Sequence, residues 1–337
     1  MFSRWAAHWL GDNFSNWENL RRSIVGVLQF NQFGIPLVGA DICGFIGNTE
    51  PELCARWHQL GAFYPFSRNH NALGSIEQDP AIFGEVIASV VRSALQTRYT
   101  LLPYLYTLFY LHTTEGSTVA RPLWHEFPRD ERTLAVNDQL LWGSGLMVCP
   151  VVEQKADSRT FYLPPETRWF QITDFFQTRE WMEVTTLGNL AIPVTLETLP
   201  LYLRGGTILP LQQPGMNTLE SRRNNMELLA ALDKRQAATG LLFWDDGESL
   251  DSLAFSRYFL GKISVDEREL NMTVMVDGAM SELQYLRISR VVIIGIDTSV
   301  GAVIVNGEEH LDWTFQNGGL DVTNLKISVN DNFQILF

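Results

Sequence analysis

The alternation of apolar strands with amphipathic helices stops after two rounds, and that interruption limits what the chain can fold into. Ser15-Asn-Trp-Glu18 has the pattern of a capping box, in which a hydroxyl and a carboxylate satisfy free N–H groups at a helix start. Leu20, Ile24, Val27 and Leu28 follow at the spacing of one helical face, and the helix is expected to end near Gly34. Ile35-Pro-Leu-Val-Gly39 then reads as a short strand with Asp41 at its carboxyl end. A second box, Thr49-Glu-Pro-Glu52, carries proline in the first turn and opens a helix to about Gly61. Ala62 to Phe66 reads as the next strand, running into Ser67-Arg-Asn-His-Asn71. Asp79-Pro80 opens a third helix, Pro103 breaks or restarts it, and Gly116 ends it. Strands and helices that alternate this way, with polar residues after each strand, belong to α/β barrels and doubly wound sheets. Two strands close no barrel, and their edges would be a liability if left bare.

Near Arg121-Pro122 the pattern changes. Short β-rich runs now alternate with Gly, Pro, Asn and Asp turns, as in Phe161-Tyr-Leu-Pro164, Ile192-Pro-Val-Thr-Leu196 and Gly206-Thr-Ile-Leu-Pro-Leu211. Further runs are Leu241-Leu-Phe-Trp244, Ile263 to Val276, Gln284 to Ile296 and Ala302-Val-Ile-Val305. Strands at this spacing predict antiparallel sandwiches, with a boundary between two of them near 200–210. The expected class is α/β plus all-β. The 337 residues suffice for two or more domains at about 150 residues each, and an apolar fraction of 46% supplies their cores.

Charge narrows the partners. The net charge of −13 argues against nonspecific binding to nucleic acid or anionic membranes and suits a neutral substrate. No apolar run reaches the roughly 18 residues of a membrane span; Leu101–Leu111 is too short and contains Pro103. Met1–Leu10 lacks a basic stretch ahead of a long apolar core, so it does not read as a signal peptide. No CxxC, HxxEH or HExxH spacing occurs, so neither a metal nor another cofactor is expected. No Gly-rich phosphate loop follows a strand, which removes a nucleotide-binding doubly wound enzyme. Three cysteines leave room for one bridge, and Cys149, in Leu146-Met-Val-Cys-Pro-Val-Val152, is most simply a free core thiol.

Chemistry concentrates in three segments: His8-Trp-Leu-Gly-Asp-Asn13, Val38-Gly-Ala-Asp-Ile-Cys-Gly-Phe45 and Phe63-Tyr-Pro-Phe-Ser-Arg-Asn-His-Asn71. Each starts apolar and ends polar or aromatic. On one barrel face, the strand ends would present Trp9, Asp12, Asp41, Phe45, Arg68 and His70 together. Carboxylates, Arg and His can bond sugar hydroxyls, while Trp and Phe offer flat apolar faces to a pyranose ring. A carboxylic acid beside aromatic rings can serve as a proton donor. Taken singly, Asp after a strand is also a common turn residue, Trp beside a strand a common core residue, and His70 a common loop residue.

Together these blocks resemble family 31 of the glycoside hydrolases. The likeness continues through Arg98-Tyr-Thr-Leu-Leu-Pro-Tyr-Leu-Tyr106, Arg121-Pro-Leu-Trp124, Leu203-Arg-Gly-Gly206 and Phe243-Trp-Asp-Asp-Gly-Glu248, so it spans essentially the whole chain. The resemblance implies the C-terminal quarter of a (β/α)8 barrel over 1–121, a proximal β-sandwich over 122–204 and a distal one over 205–337. It implies retaining hydrolysis of α-linked glucose from the non-reducing ends of maltose and malto-oligosaccharides. In that reaction one carboxylate attacks the anomeric carbon and another, about 5–5.5 Å away, is acid and then base. Asp12 matches the acid/base. Trp9, Asp41, Phe45, Arg68 and His70 match residues around the reacting glucose. His70 is expected on a sugar hydroxyl, with Asp41 and Arg68 organising the pocket floor. Cys43 and Cys54 match a loop disulfide of the family, and with it an oxidising compartment.

The family's nucleophile lies in a tryptophan-x-aspartate-methionine-asparagine-glutamate segment that this sequence does not contain. Trp244-Asp-Asp-Gly-Glu248 has a superficial likeness to it but matches another block and reads as a structural loop. Asp41 is the remaining carboxylate to consider, although the family gives it a supporting role. About six of the eight strand–helix units of such a barrel lie outside the chain, so the 337 residues alone are expected to be inactive or very weak. The alternative is a non-catalytic carbohydrate-binding or interaction protein from a truncated gene copy. Family members are extracellular or anchored at the apical brush border, and the location of this chain is left open. Two N-glycosylation sequons occur, Asn13-Phe-Ser15 and Asn271-Met-Thr273. Asn13 adjoins the candidate acid, which favours Asn271 as the acceptor.

Overall fold

The structure is a computed structural model describing residues 6–175, 180–278 and 283–337; residues 1–5 at the head of Met1–Leu10 lie outside that set. The chain divides into two compact units: Met1–Arg98 with Leu111–Glu166 and Gln171–Tyr202, and Tyr99–Tyr110 with Thr167–Phe170 and Leu203–Phe337.

In the first unit, strand β1 (His8–Trp9) leads to helix α1 (Trp17–Gln32), and β2 (Val38–Gly39) lies parallel to β1. After one intervening residue comes β3 (Asp41–Ile42), then helix α2 (Pro51–Gly61) and β4 (Arg68–Asn69), which pairs parallel with β3. Parallel neighbours joined through helices are the βα pattern that the sequence announces. The expected strand at 62–66 is instead a run of turns, and pairing is confined to Arg68–Asn69. A short 3-10 turn, Pro80–Phe83, precedes helices α3 (Glu85–Thr100) and α4 (Leu102–Glu115). The expected break near Pro103 falls between them.

The helix starts differ from the sequence expectation. Asn16, not Ser15, caps α1, accepting from the Asn19 N–H at 2.8 Å. Ser15 instead donates to the Cys43 carbonyl at 2.9 Å, and Glu18 pairs with Arg22 one turn on. Glu50 precedes α2 without a side-chain cap; its carboxylate accepts from Trp17 and Gln154. Of the second expected box, Thr49 donates to the Glu50 carbonyl at 3.5 Å and Glu52 accepts from the Lys155 N–H at 2.8 Å, so tertiary partners take Ser15 and Glu52 away from the helix starts.

Long side chains hold the segment that leads into β4. Arg98, on α3, donates to the Ala62 and Tyr64 carbonyls at 2.6 and 2.7 Å and to that of Pro65 at 3.2 Å. The Trp142 indole donates to the Phe63 carbonyl at 2.7 Å. Tyr64 is fully buried, its hydroxyl shared by Ser23 and the Trp57 indole. This turn-rich segment lacks ladder bonds, so these donors satisfy carbonyls that would otherwise be buried and unpaired. Arg56, also buried, ties α2 to the turn at 195–198 through the carbonyls of Thr195, Leu196 and Thr198.

The β-rich part of this unit is antiparallel where its pairs are described: Ala120–Arg121 with Leu140–Trp142, the latter with Leu146–Val148, and Ser158–Leu163 with Gly188–Pro193. In the second unit twelve strands form one hydrogen-bonded sheet around a continuous apolar core. The expectation of purely antiparallel pairing needs correction there. Thr207–Gln212 meets Ala238–Trp244 in parallel, and Met226–Ala231 pairs in parallel with Arg287–Ile294. Thr207–Gln212 separates Met226–Ala231 from Ala238–Trp244, so consecutive strands are not neighbours. Gly240 permits this approach, since a Cβ there would lie 2.4 Å from the Ile208 carbonyl oxygen.

Gly39 is the tightest point of the strand–helix region. A Cβ on it would sit 1.8 Å from the Phe66 carbonyl oxygen, whose position is fixed by the Phe66 N–H bond to Val38. Gly34 has φ +79 and open space around it. Gly39→Ala is therefore expected to cost about 3 kcal/mol or more through backbone displacement, and Gly34→Ala about 1–2 kcal/mol through backbone strain alone. Urea denaturation of the two variants checks the order; equal losses would mean that the strand accommodates the methyl group.

Candidate functional site

The site starts from a buried charge. Asp41 is 1% exposed, which is unfavourable for a carboxylate without a partner. The partner comes from the adjacent strand: β3 and β4 align Asp41 with Arg68, whose Nε donates to Oδ1 at 3.1 Å and whose terminal amino group donates to the same oxygen. Arg68 in turn lies over the rings of Phe66 and Trp9, 5.4 and 5.9 Å from their centroids. Trp9 is 44% exposed, an aromatic face supported by a cation and left open. The second oxygen of Asp41 has no hydrogen-bond partner among the described residues.

Asp12 follows β1 and is exposed. Its neighbour Asn13 joins it to the rest. The Asn13 amide donates to the Asp41 carbonyl at 3.0 Å, and its oxygen accepts from the Phe45 N–H at 3.2 Å. The Phe45 and Ile46 N–H groups also reach the Asn13 carbonyl, both at 2.9 Å. Phe45 then meets His70, their rings 5.3 Å apart and tilted by 35°. Thus Trp9, Arg68 and Asp41 make one contact chain and Phe45 and His70 another, with Asn13 linking both to the Asp12 loop.

The bend between Asp41 and Phe45 uses two left-handed residues, Cys43 with φ 71 and Gly44 with φ 89. A Cβ on Gly44 would lie 2.5 Å from the Ser15 Cα, so the loops pack at backbone distance. Cys43 and Cys54 form a disulfide that fastens this bend to α2. His58 lies against it: Nδ1–H donates to the Cys54 carbonyl at 2.8 Å, and Nε2 accepts from the Asn69 amide at 3.3 Å. These bonds assign a neutral ring. Burial moves its pKa below the usual histidine value, against smaller opposing effects of the Cys54 carbonyl and Asp79. Cys43, Cys54 and His58 are near enough to share an ion, but the disulfide occupies both sulfurs and the set does not fit a metal as it stands.

Two contributors were not legible in the sequence. Asn13 looked like a sequon, whereas its amide is committed to Asp41. Gln78, 5% exposed, donates to the Ile42 carbonyl, the Asn69 side chain and the His70 carbonyl at 3.1, 2.8 and 3.0 Å. It holds the β3 and β4 ends together, and nothing in Glu77-Gln-Asp-Pro80 signals that. Asn271 sits within a strand with its amide on Glu269 at 2.6 Å. The loop after Trp244 is organised internally. Asp245 is 3% exposed and accepts from Tyr106, Gly247 and Ser252 at 2.6, 2.9 and 2.7 Å.

Strand ends that gather carboxylates, Arg, His and open aromatic rings are the arrangement of a site on a barrel-type domain. Two profiles of one family match, the TIM-barrel domain over residues 2–108 and the C-terminal domain over 116–209, and the chain belongs to glycosyl hydrolases family 31. It is 41% identical over 341 residues to intestinal sucrase-isomaltase of Homo sapiens, covering 98% of this chain and 18% of that protein. To lysosomal alpha-glucosidase of Rattus norvegicus it is 42% identical over 357 residues, covering 98% and 36%. The crystal structure of a glucosidase II alpha subunit superposes with a TM-score of 0.90 at 25% identity, covering 98% of this chain and 38% of that one. The chain thus spans about a third or less of the curated relatives compared. Among the described residues no helix is long and apolar enough to cross a membrane.

The His58 geometry gives a pH test. A folded pKa below the usual 6.5 means that acid protonates the unfolded chain first. The contribution of His58 is complete above that value and is lost as pH falls through the folded one. The stability advantage of the native chain over His58→Gln should therefore shrink below about pH 6.5. Denaturation midpoints from pH 8 to pH 5 check this; a constant difference would mean that folding leaves the pKa of the ring unchanged, and a growing one that the ring is charged in the folded state.

Proposed function

We propose that this chain carries the acid/base half of a retaining α-glucosidase that releases glucose from the non-reducing ends of maltose and malto-oligosaccharides. The supporting observation is the exposed Asp12 at the end of β1, joined through Asn13 to the buried Asp41–Arg68 pair and the Phe45–His70 contact. In this reading Asp12 protonates the leaving oxygen and then takes a proton from the attacking water. Trp9 and Phe45 bear on the apolar faces of the reacting glucose, and His70 bonds one of its hydroxyls. Asp41 and Arg68 fix the floor.

The nucleophile is assigned to none of the 337 residues. Asp41 is unsuited because it is buried and committed to Arg68, and Asp245 because its oxygens already accept three hydrogen bonds. We assign 1–121 to the C-terminal quarter of a (β/α)8 barrel, 122–204 to a proximal β-sandwich and 205–337 to a distal one. The two family profiles and the distal core support this division. The disulfide fits an oxidising compartment, as do the intestinal and lysosomal names of the relatives.

The purified chain is expected to show no maltose hydrolysis above an Asp12→Asn control. Hydrolysis abolished by that substitution would place the nucleophile within these residues, with Asp41→Asn the next variant. A chimera joining the barrel segments of the rat relative ahead of His8 should hydrolyse maltose with retention. Asp12→Asn in that chimera should lower kcat by about 100-fold or more. An active chimera indifferent to Asp12→Asn would sink the assignment.

A further inference from the structure

In the second unit, a cleft of about 900 Å³ opens between the short helix Thr218–Ser221, the loop after Trp244 and the 3-10 turn Leu283–Tyr285. The mechanism uses none of these residues. Tyr285 is 75% exposed, so its ring adds little to the core. Its support is nevertheless rigid. Leu283 and Leu286 on either side are buried, Leu286 bonds back to the Leu283 carbonyl, and Arg287 donates to the Gln284 carbonyl at 2.7 Å. The opposite wall is equally set. The Arg222 guanidinium stacks 4.0 Å above the Trp244 ring and donates to the Asp245 carbonyl. Asp246 accepts from the Glu248 and Ser249 N–H groups and from the Ser249 hydroxyl, which holds its carboxyl down at about 2.

Against this hydrogen-bonded frame stand side chains with no hydrogen-bond partner among the described residues: Arg223, Glu248, Gln284 and the Tyr285 hydroxyl. The cleft contains two guanidinium groups and two carboxylates, so it is locally balanced in a chain of net charge −13. A balanced set repels neither sign strongly and selects neither. It offers donors and acceptors at once beside an open aromatic face, which suits a neutral polyhydroxyl ligand: rings with apolar C–H faces and hydroxyls that both donate and accept.

We propose that this cleft is a second carbohydrate site, binding α-linked glucan chains with residues separate from those of the reaction site, with Tyr285 as the stacking face and Arg223 and Glu248 as hydroxyl partners. The choice of α-glucan rests on the function proposed above. Such a site would hold a polymeric substrate while its end is processed, raising local concentration without taking part in bond cleavage.

The test is affinity electrophoresis of the full chain in gels containing amylopectin, with maltoheptaose titration followed by NMR. Native protein should be retarded, and Tyr285→Ala and Arg223→Ala should each weaken maltoheptaose about tenfold. Tyr285→Trp should retain binding. Both positions are exposed, and unchanged thermal midpoints should accompany the losses. Retardation and its dependence on Tyr285 should persist in Asp12→Asn and His70→Ala, whatever those substitutions do at the reaction site. Absence of retardation overturns the proposal, and so does retardation that survives Tyr285→Ala. Retardation lost only with His70→Ala would place the glucan at the reaction site and leave the functional reading standing. Binding that depends on Tyr285 but prefers mannan over amylopectin would overturn the α-glucan assignment.

Discussion

The buried carboxylate of Asp41 is the constraint on which the reaction-site region depends. A carboxylate at 1% exposure requires a partner, and among the described residues its ion pair is with Arg68 on the next strand. Removing Arg68 strands the buried carboxylate, whereas Arg68 is 38% exposed and without Asp41 would meet solvent, so the loss on removing the arginine stays below the roughly 3–5 kcal/mol of a fully buried pair. The pairing therefore fixes the register of β3 against β4, and the surrounding bonds follow from it. Gln78 ties the backbone of the two strand ends, the disulfide fastens the intervening bend to α2, and Asn13 brings the preceding loop to the same place. Aromatic rings then occupy the space over the guanidinium and beside His70.

Backbone between these strands is irregular, which creates a problem of unpaired carbonyls. Residues 62–65 are fully buried yet join no sheet. Arg98 and Trp142 solve this with side-chain donors, and Arg56 does the same for the turn at 195–198. Arginine suits the task because one planar group reaches several carbonyls at once. The cost is dependence on distant sequence: a segment that looks like a strand takes its shape from residues 35 to 80 positions further on.

Two similar-looking acidic loops show how environment decides role. Asp12 and Asp245 both follow strands and both sit near tryptophan. Asp12 is exposed, while Asp245 is buried and accepts two hydrogen bonds from its own loop and one from Tyr106 on α4. With both oxygens engaged and 3% exposure, Asp245 presents no open carboxylate to a substrate.

What the sequence determined by itself was local and repetitive: helices α1 and α2 from apolar spacing and Pro51, the polar clusters after β1, β3 and β4, and the change to β structure beyond Arg121. The six candidate residues were legible because they fall in dense, ordered blocks. The helix caps were not, since Ser15 bonds the Cys43 carbonyl and Glu52 the Lys155 N–H in place of the local N–H groups. The strand at 62–66 was not, since apolar character marks burial and cannot distinguish a ladder from a turn held by Arg98. Gln78 and the parallel pairs of the distal sheet were beyond reach for the same reason. A buried amide, or the neighbour of a strand, is chosen by residues far away in the chain, and only the closed tertiary structure brings those donors and acceptors within hydrogen-bonding distance.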